Sequence, residues 1–199
     1  LQGKGGDEAH NVAPIIVHPD VRRMLLTMKS TIEAGRALAV YLGMWLDQSS
    51  YAECPDERRK AQNLVSLLTP VAKAFFTDLG LENTIHGQQE FGGHGYVREW
   101  GQEQLVRDVR IAQIYEGTNG IQALDLLQRK IFANRGDWLR LFFNEIIGVV
   151  DAMPAANKVA LQPHIDRLAA LLADTSSLTE QIIRAGEQSP LSIAASATE

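Results

Sequence analysis

Apolar positions recur at three- and four-residue steps over most of the 199-residue chain, and that spacing predicts helices. Val21, Met24, Leu25, Met28 and Ile32 begin one stripe, which Leu38, Leu42 and Trp45 or Leu46 extend to about Asp47. His18-Pro19-Asp20 opens this helix, with proline in the first turn where its missing N–H costs nothing. Met24, Met28 and Met44 are read as core packing in preference to a pliable binding face. Pro55-Asp56 starts a second helix, with Asp56 as its cap, Glu57 at the positive end of the dipole, and Val65 and Leu68 facing inward. Thr69-Pro70 is either a fresh helix start or a proline kink within one long helix. Val71, Phe75 and Leu79, flanked by Phe76 and Leu81, carry the pattern on to about Gln89.

After a glycine-rich interval, Leu105, Val109 and Ile111 or Ala112 predict a short helix. Ile121, Leu124, Leu126 or Leu127, and Ile131 predict the next one. Asp137, following Asn134-Arg135-Gly136, is placed as the cap of an amphipathic helix through Leu139, Phe142, Phe143, Ile146, Ile147 and Val150. Pro154 and Pro163 are expected to bracket a break, before a helix with Ile165, Leu168 and Leu172 and a short last one with Leu178, Ile182 and Ile183. Residues 1–13 have the composition of a loop, and Ser189 to Glu199 that of a frayed tail. No period-2 alternation is long enough for a strand. The expectation is an all-α bundle of about four main helices with a C-terminal helical extension.

Composition narrows the functional classes. Apolar residues make up 45% of the chain, enough for a real core. A net charge of −5 argues against nucleic acid or an anionic membrane as partner. The single cysteine, Cys54, excludes an internal disulfide framework. No apolar run reaches the length of a membrane span and no signal peptide is visible, so a soluble intracellular protein without a membrane span is expected. The opening Leu1-Gln2-Gly3-Lys4-Gly5-Gly6 lacks a methionine and resembles a piece of something longer.

Candidate chemistry concentrates between Phe91 and Lys130. Two glycine clusters, Gly92-Gly93-His94-Gly95 and Gly117 to Gly120, flank a helical segment. Glu116 is the isolated carboxylate of the turn Ile114-Tyr115-Glu116-Gly117-Thr118. Its apolar neighbours would desolvate it and suit it to proton abstraction, while the helix start after it would act in the opposite sense. A charged residue of an ordinary first turn would account for Glu116 equally well, and a helix C-cap for Gly92 to Gly95. Glu82 and His86 are four apart and lack the companions of a di-iron site. No nucleophile elbow, P-loop or dinucleotide-binding spacing occurs.

Three blocks together carry a resemblance: Gln89-Glu90-Phe91-Gly92-Gly93-His94-Gly95-Tyr96, Arg107-Asp108-Val109-Arg110-Ile111, and Ile114 to Gln122. In order and spacing they resemble the C-terminal domain of the acyl-CoA dehydrogenase family, and the extension resembles its long 3-methylmercaptopropionyl-CoA dehydrogenase-like subgroup. The resemblance implies a four-helix up-and-down bundle over residues 1–135 and an extension over 136–199. It implies an FAD enzyme that oxidises an acyl-CoA to the trans-2-enoyl-CoA, with Glu116 as the α-proton base. Gln89, Gly92 and Gly93 match positions facing a neighbouring subunit's FAD, Thr118 matches a flavin-contacting hydroxyl, and Gly120 matches a position at the adenine end of FAD. Tyr115 and Gly117 match the lining of the thioester site. Gly120 stands where many members have a glutamine or glutamate. Gln128 stands where some have an arginine that helps hold coenzyme A, and Arg129, beside it, lies about 100° round an α-helix. Implied partners are acyl-CoA, further copies in a homodimer or homotetramer, and electron-transfer flavoprotein or a similar acceptor. The implied location is the bacterial cytoplasm or the mitochondrial matrix. An acyl-CoA oxidase, or a catalytically lapsed dimerisation module, is the competing reading, and the fragment by itself is expected to be inactive.

Overall fold

The computed structural model describes residues 13–189 and Ala197; residues 1–12 and most of the tail beyond Ser189, where a loop and a frayed end were expected, lie outside the described residues. The helices are α1 (Pro19–Tyr51), α2 (Pro55–Glu90), α3 (Gly93–Tyr96), α4 (Gln102–Arg110), α5 (Asn119–Leu124), α6 (Asp137–Asp151) and α7 (Ala155–Gln188). A π-helix, Asp125–Phe132, continues directly from α5. The described residues contain no strand, and the fold is all-α as the pattern predicts.

Proline decides less than its position suggests. Pro70 lies inside α2, which runs unbroken over 36 residues. Of the two readings of Thr69-Pro70, the long helix is the one adopted. One backbone bond is forfeited, and the buried Leu64, Leu67, Leu68 and Ala72 on either side hold the axis. Pro163 likewise sits within α7, so the expected break and separate last helix are one continuous helix. Asp56 and Asp137 are not caps. Asp56 lies in the first turn of a helix that starts at Pro55 and pairs with Arg59 at 2.9 Å. The N-cap of α6 is Gly136, at φ +77°, and the Asp137 carboxylate pairs with Arg140 instead. A left-handed cap leaves the first carboxylate of the helix facing its own next turn.

Two compact units divide the chain, Leu1–Tyr41 with Ala74–Thr118 and Leu42–Lys73 with Asn119–Glu199, and α1 and α2 each run through both. In the first, Met24 is buried. The inner stripe of α1 passes through Thr31, whose hydroxyl donates to Asn83 Oδ1 at 3.0 Å. Ile32, expected inside, is 49% exposed. A hydrogen-bonded threonine has taken the inward step. The Gln102 amide at the head of α4 donates to the Thr84 carbonyl of α2 at 3.2 Å, fixing α4 in place.

In the second unit, Trp45, Ala61, Leu64, Leu67, Leu68 and Ile131 form the core. Lys60 Nζ stands 5.4 Å from the Trp45 ring centre and 2.6 Å from Glu145 Oε1, which joins α1, α2 and α6 through one cation. Lys130 Nζ donates to Ser66 Oγ at 3.1 Å, fastening the π-helix to α2. Met44 is exposed, as is Ile121, so neither serves the core expected of it. By length and composition α2 is apolar enough to cross a membrane (mean hydropathy 1.4 over its most apolar window). Its Ala61, Leu64, Leu67 and Leu68 belong to the core just described.

Candidate active site

Glu116 sits in the turn between a 3-10 segment, Ile111–Gln113, and α5. Its φ is +53°, followed by +86° at Gly117. Glycine enters that region freely, whereas a glutamate there costs about 1–2 kcal/mol. A non-glycine residue kept against backbone preference is the pattern of a position retained for its side chain. The carboxylate is exposed, as are Ile114 and Tyr115. The two neighbours whose apolar mass was expected to desolvate it are thus themselves open to solvent.

Two hydrogen bonds to α2 secure the ends of the turn. Before it, the Gln113 amide donates to Asp78 Oδ1 at 2.6 Å, and Gln113 Oε1 accepts from Arg110 at 3.0 Å. After it, Lys73 Nζ donates to Asn119 Oδ1 at 2.7 Å. The sequence reading missed Asp78, Gln113, Lys73 and Asn119. Their partners lie 35 and 46 residues apart, beyond any local spacing rule.

The first glycine cluster forms the corner after α2. Gly92 has φ +57°, and its N–H donates to the Gln89 carbonyl at 2.9 Å. A Cβ at Gly92 or Gly93 would meet nothing within 4 Å, so the backbone is bare toward solvent. At Gly95 a Cβ would stand 2.3 Å from the Gln88 carbonyl oxygen, so this glycine serves packing. Gln89, Gly92 and Gly93 line one cleft of about 570 Å³, together with His18, Glu90 and His94. Both Glu90 carboxylate oxygens are buried without a hydrogen-bond partner.

The predicted residues thus fall into three local groups. Tyr115, Glu116, Gly117 and Thr118 are contiguous in the turn, and Gly120 is the second residue of α5. Gln89, Gly92 and Gly93 share the corner cleft. Arg129 lies on the π-helix, in a cleft with Asp125 and Gln128. Among the described residues, no group of three or more histidine, cysteine or carboxylate side chains is placed to hold a metal ion.

The sequence that carries this turn and this corner has counterparts among known proteins. Residues 7–131 match the family described as acyl-CoA dehydrogenase, C-terminal domain. The 3-methylmercaptopropionyl-CoA dehydrogenase of Ruegeria pomeroyi is 40% identical over 183 residues, which is 92% of this chain and 31% of that protein. A butyryl-CoA dehydrogenase of Syntrophomonas wolfei is 36% identical over 132 residues, 66% of this chain and 22% of the relative. The broad-specificity linear acyl-CoA dehydrogenase of Mycobacterium tuberculosis is 34% identical over 137 residues, 68% of this chain and 22% of the relative. The chain belongs to the acyl-CoA dehydrogenase family, in which it corresponds to the C-terminal domain. It spans under a third of the length of these relatives.

Proposed function

We propose that this chain is the base-bearing domain of an FAD-dependent acyl-CoA dehydrogenase, with Glu116 removing the α-proton of the thioester. The observation that supports this most directly is the positive φ of Glu116, in a chain whose relatives described above are acyl-CoA dehydrogenases. An exposed carboxylate is too weak a base for a thioester α-proton. Enclosure by substrate and by the parts of the enzyme beyond this chain would strip its water and strengthen it. Tyr115 and Gly117 flank the base along the chain and would line the acyl thioester, and the bonds to Asp78 and Lys73 fix the turn before substrate arrives. The proton ends on a Glu116 carboxylate oxygen.

The corner after α2 fits a dinucleotide cofactor. Its bare backbone at Gly92 and Gly93 admits close approach, and the Gln89 amide offers both a donor and an acceptor. The acidic Glu90 and Asp20 in the same cleft suit the hydroxyl and amino groups of such a molecule better than its phosphates. Gln89, Gly92 and Gly93 would hold FAD bound to a neighbouring copy, Thr118 would approach a flavin, and Gly120 would lie toward the adenine end of FAD. When bound, FAD supplies the acceptor for the β-hydride. This reading carries with it a homodimer or homotetramer, and electron-transfer flavoprotein or a similar protein as the next acceptor. A cytoplasmic or mitochondrial-matrix location belongs to the same proposal.

The test is Glu116→Gln in the complete enzyme, followed anaerobically by flavin bleaching on addition of acyl-CoA. The variant is expected to keep its flavin absorbance and lose bleaching. Bleaching at the wild-type rate would sink the assignment. Faster turnover with oxygen than with a dye or flavoprotein acceptor would make the enzyme an oxidase.

A further inference from the structure

A second cleft of the first unit, about 650 Å³ and within the size range of small-molecule sites, lies between α2 and α4. Leu81 and Ile85, one turn apart on α2, and Val106 of α4 give it an apolar floor. Arg98, Arg107 and Arg110 line the same cleft beside a single carboxylate, Glu103, which leaves an excess of two positive charges in a chain whose net charge is −5. That excess is not neutralised locally. Glu103 sits four residues before Arg107, a helical spacing that favours an ion pair. Yet among the described residues neither Arg98 nor Arg107 is paired with a carboxylate. Arg110 donates to the neutral Gln113 amide at 3.0 Å. Two carboxylates of the same helices, Asp78 and Asp108, accept from the amides of Gln113 and Gln104, each at 2.6 Å.

We propose that this cleft binds a small phosphate monoester with an apolar body, its phosphate on Arg98, Arg107 and Arg110 and its body on Leu81, Ile85 and Val106. None of its lining residues belongs to the glycine-corner cleft, and the site stands whether or not the acyl-CoA reading does. A phosphate monoester carries about −1.5 to −2 near neutral pH, which matches the excess of two. A carboxylate carries one charge and would leave a guanidinium uncompensated. Each guanidinium fork offers two parallel N–H donors to phosphate oxygens, a geometry that a lysine cluster would lack. The apolar floor adds burial of the ester's body, to which a bare inorganic ion has nothing to contribute.

The experiment is calorimetric titration of the complete protein with hexyl phosphate, inorganic phosphate and hexanoate. Hexyl phosphate is expected to bind about tenfold more tightly than either of the others, since one or two buried methylenes suffice for that factor. Its affinity should fall as salt rises. Arg107→Ala and Arg98→Ala are each expected to weaken it about tenfold, the size of one charge-assisted bond. Both positions are exposed, and neither change touches the bond from Arg110 to Gln113. Ile85→Ser, at a position 48% exposed, is expected to weaken hexyl phosphate and to leave inorganic phosphate unchanged. Circular dichroism checks the fold of each variant, and Arg98→Ala, outside α4, carries the test should Arg107→Ala fail to fold. No binding of hexyl phosphate, or binding that the folded arginine variants retain in full, overturns the proposal. Hexanoate or inorganic phosphate bound as tightly as hexyl phosphate overturns it as well, since the cleft would then read neither the second charge nor the apolar body.

Discussion

At the scale of single residues, the left-handed Glu116 sets stability against activity. Its carboxylate is the one feature that glycine cannot supply, and its backbone conformation is one that glycine adopts without cost. Glu116→Gly is therefore expected to stabilise the fold by about 1–2 kcal/mol while abolishing turnover. Glu116→Gln should lose turnover by at least about a hundredfold with no gain in stability. Denaturant titration beside a turnover assay separates the two, and an unchanged midpoint for Glu116→Gly would contradict the strain. The glycine corner gives a second contrast. Gly93→Ala meets open space and should leave stability unchanged but weaken flavin retention. Gly95→Ala drives a methyl into the Gln88 carbonyl and should destabilise the fold whatever happens to flavin. If Gly93→Ala keeps flavin as tightly as wild type, measured by fluorescence of released FAD, Gly93 is not part of the cofactor cradle.

At the scale of elements, helices were legible wherever one apolar face is buried along their length. Met24, Trp45 and Leu68 are buried where the periodicity of α1 and α2 places them, whereas the fully buried Leu64 and Leu67 were missed beside the half-buried Val65. What periodicity cannot show is how many residues a turn holds. Leu124, Leu127 and Ile131 fit an α pattern, and the same letters form a π-helix from Asp125 onward. Interior prolines misled for a different reason: local propensity marks Pro163 as a break, whereas helix on both sides survives the loss of one bond. Pro163 is exposed within α7, so Pro163→Ala should raise stability by up to about 3 kcal/mol. Loss of stability in a thermal melt would mean that the ring packs on something its exposure does not show. The anchors of the catalytic turn belong to the same scale. Asn119→Ala frees α5 from Lys73 and should lower kcat, whereas Asn119→Asp keeps an acceptor 2.7 Å from Lys73 Nζ and should restore most of it. Equal kcat for the two variants would deny the anchor a positioning role.

At the scale of the whole molecule, the candidate site is legible only in part, because under the proposed function this chain would supply only some of its surfaces. Glu116 and the glycine corner could be named from their motifs. Yet Glu116 is exposed, and so are its neighbours Ile114, at 47%, and Tyr115, at 52%. On α1, Leu26, Val40 and Tyr51 are exposed as well. Both observations agree with a chain that spans under a third of its relatives. The expected outcome is that the 199-residue chain alone binds no FAD and dehydrogenates no acyl-CoA, since desolvation of the base and the rest of the cofactor's contacts must come from elsewhere. Saturating FAD should leave its melting temperature unmoved, because a molecule that binds only the native state would raise it by mass action. Mixing the chain with a separately produced remainder of the enzyme should restore both the thermal shift and acyl-CoA-dependent flavin bleaching. Bleaching of a dye acceptor by the chain alone would mean that these helices close a complete site around Glu116, and the domain reading of the protein would have to be given up.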